Sequence, residues 1–80
     1  MSYFVYILEC ADKTLYAGYT NNLDRRLYNH NNSKTGAHYT KIRRPVVLKY
    51  SESFETKSEA LKREYVLKQL SRAEKLNLFT

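Results

Sequence analysis

Two runs of β-branched and aromatic residues stand almost end to end at the start of the chain. Tyr3 to Glu9 reads Y-F-V-Y-I-L-E, and Thr14 to Tyr19 reads T-L-Y-A-G-Y. Side chains of this kind suit a pleated, half-buried surface, so each run is expected to be a strand. Only the short polar break Ala11-Asp12-Lys13 separates them. A parallel connection needs a long crossover, so the two runs must pair antiparallel, as a hairpin. Gly18, near the end of the second run, marks either a bulge or a close approach of backbone.

The remaining elements follow from caps and periodicity. Asn21 or Asn22 can cap a helix that reaches about Asn31. On its wheel Leu23, Leu27 and His30 share one face, with Arg26 at the edge. Arg26 and His30 are one turn apart, so their side chains project in the same direction. Asn31 to Arg44 is polar and basic, with Gly36 inside it, and reads as an irregular excursion. Pro45 then opens an extended segment, Val46 to Phe54, expected as the third strand. Thr56-Lys57-Ser58-Glu59 has the form of a capping box, which starts a helix near Lys57 that runs to about Leu70. Ser71-Arg72-Ala73-Glu74 repeats the signature and starts a short final helix. The order β-β-α-β-α-α predicts an α+β fold: a small three-stranded sheet, mixed or antiparallel, with flanking helices.

Eighty residues support one core, so a single domain over residues 1–80 is expected. No apolar stretch approaches the roughly 20 residues of a membrane span, and the first residues lack the pattern of a signal peptide. One cysteine, Cys10, excludes an internal disulfide and a zinc ribbon, and it reads as a small core residue. The expected compartment is the cytoplasm, with no membrane partner.

The net charge is +6, and its placement is uneven. Residues 21–50 hold Arg25, Arg26, Lys34, Lys41, Arg43, Arg44 and Lys49 against Asp24 alone. Concentrated in this way, the excess marks either a solubilising face or a phosphate-facing surface. Eight tyrosines and no tryptophan accompany it, and tyrosines interleaved with arginines suit a sugar–phosphate backbone. On this reading Arg25, Lys34, Lys41, Arg43 and Arg44 are the candidate nucleic-acid contacts.

One residue breaks the helical pattern of the C-terminal half. Ala60 and Leu67 define the apolar centre of the long helix, widened by Leu61 and Leu70, and Glu64 falls among them. A carboxylate on a packed face costs several kcal/mol unless a cation or hydrogen bonds satisfy it. Two readings stand: an ion pair with Arg26 or Arg63, or a metal ligand at the edge of a cleft.

P-loop, dinucleotide, H-E-x-x-H and G-x-S-x-G signatures are all absent. The hairpin instead carries Phe4-Val5-Tyr6 and Tyr16-Ala17-Gly18. An arginine and a histidine follow on the next helix, and the later helix contains E-A-L-K-R-E. In that order and spacing the chain resembles the GIY-YIG nuclease superfamily over essentially its whole length. Phe4-Val5 stands where that family has Gly-Ile, and Ala17 replaces a bulkier aliphatic. The stretches L-Y-A-G-Y-T-N-N-L-D-R-R-L, G-A-H-Y-T-K-I-R-R-P and L-S-R-A-E-K-L are similar to those of its small stand-alone bacterial members. The His30-Asn31 pair and R-R-P also resemble the catalytic subunit of a eukaryotic branched-DNA endonuclease.

The resemblance implies a catalytic set of Tyr6, Tyr16, Arg26, His30 and Glu64, with Glu64 as the metal ligand for Mg²⁺ or Mn²⁺. It implies a nuclease acting on DNA, with RNA left open, and a setting in DNA repair or recombination. In such chemistry a hard carboxylate oxygen suits the cation and an arginine clamps a phosphate oxygen. A tyrosine orients or deprotonates water. His30 is a proton shuttle or a hydrogen-bond partner for a tyrosine. Selectivity would come from DNA structure or from a partner protein. A second reading is kept: a nucleic-acid-binding module on the same scaffold that turns over weakly or not at all.

Overall fold

Val5, Tyr6, Ile7 and Leu8 are all buried, from 0 to 3% exposed, without alternation. Such a run belongs to a strand covered on both faces, and in this computed structural model, which describes residues 2–32 and 43–79, it lies in the central strand. The sheet has the order β2-β1-β3, built from β1 (Tyr3–Glu9), β2 (Leu15–Thr20) and β3 (Val47–Phe54). Both pairings are antiparallel, which resolves the mixed-or-antiparallel alternative. Among the described residues the helices are α1 (Leu23–Asn32), α2 (Lys57–Gln69) and α3 (Arg72–Leu76).

Side chains alternate across each strand, and directly paired residues share a face. Val5, Ile7 and Ala17 therefore point one way and pack with Ala60 and Leu67 of α2. Tyr6 and Leu8 point the other way and pack with Leu23 and Leu27 of α1. The two longer helices thus cover opposite faces. Leu61 does not widen the α2 contact as its wheel position suggests: it is 39% exposed. Each residue advances about 100° around a helix, so Leu61 is carried past the narrow line along which Ala60 and Leu67 meet the sheet.

The caps behave as their residue types require. Thr56 Oγ1 accepts from the Glu59 backbone N–H and also donates to the Glu59 carboxylate, so this box closes through side chains. Ser71 and Glu74 form the full reciprocal box. Asn22 is the cap of α1, its Oδ1 accepting from the Arg25 N–H at 3.0 Å.

The hairpin turn is held from several sides. Lys13 takes the left-handed conformation (φ 70°), and its N–H donates to the Cys10 carbonyl. Asp12 Oδ1 accepts from both the N–H and the hydroxyl of Thr14, while its Oδ2 pairs with Arg43 Nε at 3.0 Å. The Arg43 carbonyl in turn accepts from the Ala11 N–H at 2.9 Å. Cys10 is buried beside Val46, as a small core residue should be.

Candidate active site

β1 and β2 are registered so that Tyr6 lies opposite Gly18. A Cβ at Gly18 would sit 2.5 Å from Tyr6 Oη and 2.7 Å from Cζ, inside any tolerable contact. The glycine is there for space, and the Tyr6 ring lies across it. Of the two roles open to Gly18, the close approach is the one realised. The hydroxyl of Tyr6 is thereby carried over β2, where it meets His30 Nε2 of α1 at 3.0 Å. Tyr16 packs on the same imidazole edge-on, with ring centroids 5.4 Å apart.

These groups open into a cleft of about 240 Å³ lined by Tyr6, Tyr16, Gly18, Tyr19, Arg26, His30 and Glu64. All five residues singled out as a catalytic set therefore share one cleft. Tyr19 joins them unforeseen. Strand alternation places it on the α2 face, and only its position on an edge strand lets it border the cleft.

Two of the charges in the cleft are weakly satisfied. The Glu64 side chain is only 17% exposed, and its ion-pair partner among the described residues is Lys68, at 3.6 Å and half exposed. The expected pairing with Arg26 or Arg63 does not form, because Arg63 turns to Glu52 at 3.0 Å. The Arg26 guanidinium takes part in no ion pair and no side-chain hydrogen bond among the described residues. A planar cation left in this state is suited to a bidentate oxyanion.

Burial dominates the protonation states. Desolvation raises the Tyr6 hydroxyl well above its ordinary value, with Tyr16 and Glu64 adding to the rise, and Arg26 only partly opposes this. His30, 1% exposed, is lowered to about 4 by desolvation and by the charges of Arg26 and Arg44. At neutral pH both are uncharged. A phenol O–H is the stronger donor and an imidazole nitrogen the stronger acceptor, so we assign the bond as Tyr6 donating to Nε2, with the ring proton on Nδ1.

This state has a measurable consequence. His30 is neutral in both folded and unfolded chains above its ordinary value near 6.5. As pH falls from there towards 4 the unfolded chain binds a proton that the folded one refuses, so stability declines across that window. The loss is expected to reach about 3 kcal/mol. Urea melts of wild type and His30→Gln across the window would check it, since only the wild type should carry this component of the slope.

The end of α1 is fixed by residues that fix His30 with it. Asn31 Oδ1 accepts from the Val46 N–H at 2.7 Å, and its Nδ2 donates to the Val46 carbonyl at 3.1 Å. Arg44 Nε donates to the carbonyl of His30, and its Nη2 to that of Asn29. Arg43 and Arg44, read from sequence as nucleic-acid contacts, are thus both engaged in scaffold bonds, Arg43 at the hairpin and Arg44 at the helix end. Arg25 is exposed and lines a neighbouring groove with Asn21, Asn22, Arg26 and Asn29. Lys34 and Lys41 lie outside the described residues.

Residues 2–77 match the GIY-YIG catalytic domain. The chain belongs to the GIY-YIG family. It is 54% identical over 78 residues to a UPF0213 protein of Staphylococcus saprophyticus, covering 98% of this chain and 94% of that one. A UPF0213 protein of Syntrophus aciditrophicus is 57% identical over 75 residues, covering 94% and 86%. The fold agrees with the solution NMR structure of a UPF0213 protein from Bacillus halodurans, at TM-score 0.61 and 46% identity, covering 98% of this chain and 82% of that one. A protein from E. faecalis gives TM-score 0.64 at 44% identity, covering 98% and 83%. The GIY-YIG family is generally one of endonucleases, and the Staphylococcus, Syntrophus and Bacillus relatives carry only the UPF0213 family designation. Its two name motifs fall here on the paired strands β1 and β2. Phe4 lies in regular register opposite Thr20, and Ala17 is a core residue opposite Ile7, so neither departure from the motif disturbs the hairpin.

Proposed function

We propose that the chain is a divalent-metal-dependent nuclease that hydrolyses phosphodiester bonds in DNA. The observation that carries this is the single cleft that gathers a poorly compensated carboxylate, a guanidinium unpaired among the described residues and a hydrogen-bonded tyrosine–histidine pair. Among the described residues no group of three or more His, Cys, Asp or Glu could cage a metal. The donor set fits a hard cation that keeps water and phosphate as most of its ligands. Glu64 would hold Mg²⁺ or Mn²⁺ there, supplying neutralisation of phosphate charge and orientation of the attacking water.

The chain's own groups account for the rest. Arg26 clamps a non-bridging phosphate oxygen and stabilises the charge that develops on it. Tyr6 is protonated at neutral pH, so it is not a ready-made phenolate base. Its oxygen takes a proton from water as its own proton passes to the neutral Nε2 of His30. The resulting hydroxide attacks phosphorus, the P–O bond to the 3′-oxygen breaks, and that oxygen takes a proton from solvent. Tyr16, packed on the imidazole, holds His30 in line for this transfer. Cations that face phosphates carry no base information, so selectivity is expected to rest on DNA shape, which suits repair or recombination.

End-labelled single-stranded, nicked, flapped and branched DNAs, incubated with Mg²⁺ or Mn²⁺ and separately with EDTA, test the proposal. Cleavage of at least one shape that EDTA abolishes is expected. Binding without cleavage of any shape would leave a nucleic-acid-binding module in place of an enzyme.

A further inference from the structure

Beside the catalytic cleft lies a second one of about 310 Å³, lined by Tyr3, Tyr19, Thr20, Asn21, Arg26 and Lys57. Tyr19 and Arg26 belong to both, so the two clefts share a wall. Among the described residues its lining holds two cations, three hydroxyls, an amide and no carboxylate. Lys57 is exposed, and its ammonium rests over the Tyr19 ring at 6.0 Å from the centroid. Among the described residues it has no ion pair and no side-chain hydrogen bond. An exposed cation–π contact is worth only about 0.5–1 kcal/mol, so this ammonium is readily drawn to a stronger anion.

We propose that Lys57, with Tyr19 and Asn21, forms a second phosphate subsite that takes the phosphodiester next to the one clamped by Arg26 on the same strand. The proposal rests on the nuclease reading and extends it to the path of the substrate. The strand enters the catalytic cleft across Tyr19. Lys57 Nζ contacts a backbone oxygen, the Asn21 amide donates to another, and the Tyr19 ring released by the lysine packs against sugar or base. Lys57 comes from α2, outside the basic segment at residues 21–50. The anion-binding surface is thus assembled from two distant parts of the chain around Arg26. The chemistry is that of a nucleic-acid backbone, and DNA and RNA present it alike.

Fluorescence anisotropy with labelled single-stranded DNA, duplex DNA and RNA of one sequence, in EDTA over a salt titration, tests the subsite. Lys57→Ala is expected to weaken binding several-fold and to flatten the log–log salt slope by about 0.7–0.9. Lys57→Arg should restore the slope, and Lys62→Ala, an exposed lysine of α2 outside both clefts, should leave it unchanged. The DNA and RNA arms decide which backbone the subsite takes. A wild type that binds while Lys57→Ala keeps its slope, or while Lys62→Ala loses as much, overturns the subsite alone. A wild type that binds none of the three probes overturns the nuclease reading together with it.

Discussion

Glu64→Gln is expected to melt within a few degrees of wild type, to bind DNA as before, and to lose cleavage in both Mg²⁺ and Mn²⁺. The stability half follows from the partners of Glu64. A structural ion pair broken inside a protein costs about 3–5 kcal/mol, because it strands a buried charge. The only ion-pair partner of Glu64 among the described residues is Lys68, half exposed and 3.6 Å away. Such a pair contributes about 0–1 kcal/mol, and a lysine left alone there returns to water. One kcal/mol shifts the melting temperature of a domain this size by about 4–8 °C. The neutral amide also removes an under-compensated carboxylate from a largely buried place, which offsets part of that loss.

The activity half follows from chemistry. Removing the one carboxylate that lines the cleft among the described residues would take away the proposed hard anionic ligand, worth several kcal/mol of transition-state charge stabilisation. At 1.36 kcal/mol per decade, a fall in rate of at least about 100-fold is expected. Arg26→Ala should lose cleavage to a similar degree by removing the proposed phosphate clamp, and should weaken DNA binding as well, which Glu64→Gln should not. The measurements are a metal-free thermal melt, a binding isotherm and a cleavage assay on each variant. Glu64→Gln cutting at the wild-type rate would end the metal-ligand assignment. An early metal-free melt would return Glu64 to the scaffold.

The anomaly at Glu64 is legible in the residue order alone, because a wheel needs only the 3.6-residue period and the apolar positions of Ala60 and Leu67. The central position of β1 is legible for a similar local reason, since Val5 to Leu8 leave no polar face. What stays hidden depends on how distant segments meet. Whether β3 pairs parallel or antiparallel with β1 is settled between segments far apart in the chain, and composition carries no information about that pairing. Arg43 and Arg44 look like phosphate contacts because they sit in a basic run. Their engagement with Asp12 and with the carbonyls of Asn29 and His30 arises only once the chain has returned to the hairpin and the end of α1. Lys57 is hidden for the opposite reason. It sits in a segment of nearly balanced charge, and α2 packing brings it beside Tyr19 and Arg26. Counting charge along a chain finds basic segments, whereas a binding surface is made of basic neighbours.

Gly18→Ala is expected to reduce cleavage by about 100-fold or more, comparable to removing a direct participant, although glycine has no side chain to react. The added methyl would stand 2.5 Å from Tyr6 Oη and 2.7 Å from Cζ, so the ring must move. The ring has little freedom to do so: Tyr6 is 3% exposed and packs with Leu8, Cys10 and Val46. Displacing it breaks the 3.0 Å bond to His30 Nε2, the proposed route for the proton. Overpacking of this kind typically costs about 1–3 kcal/mol, so the variant should fold but melt earlier. Coupling to Tyr6 separates this cause from a general defect of the hairpin. In a Tyr6→Phe background the closest contact disappears while the one to Cζ remains, so part of the stability cost of Gly18→Ala should vanish and activity should not return. The His30 ring should report the same event, because ¹⁵N spectra distinguish an Nε2 that accepts from the phenol from one that does not. If Gly18→Ala keeps that His30 signature and the wild-type rate, the ring is not held against β2 as described. The carriage of Tyr6 Oη to His30 by a missing side chain would then have to be abandoned.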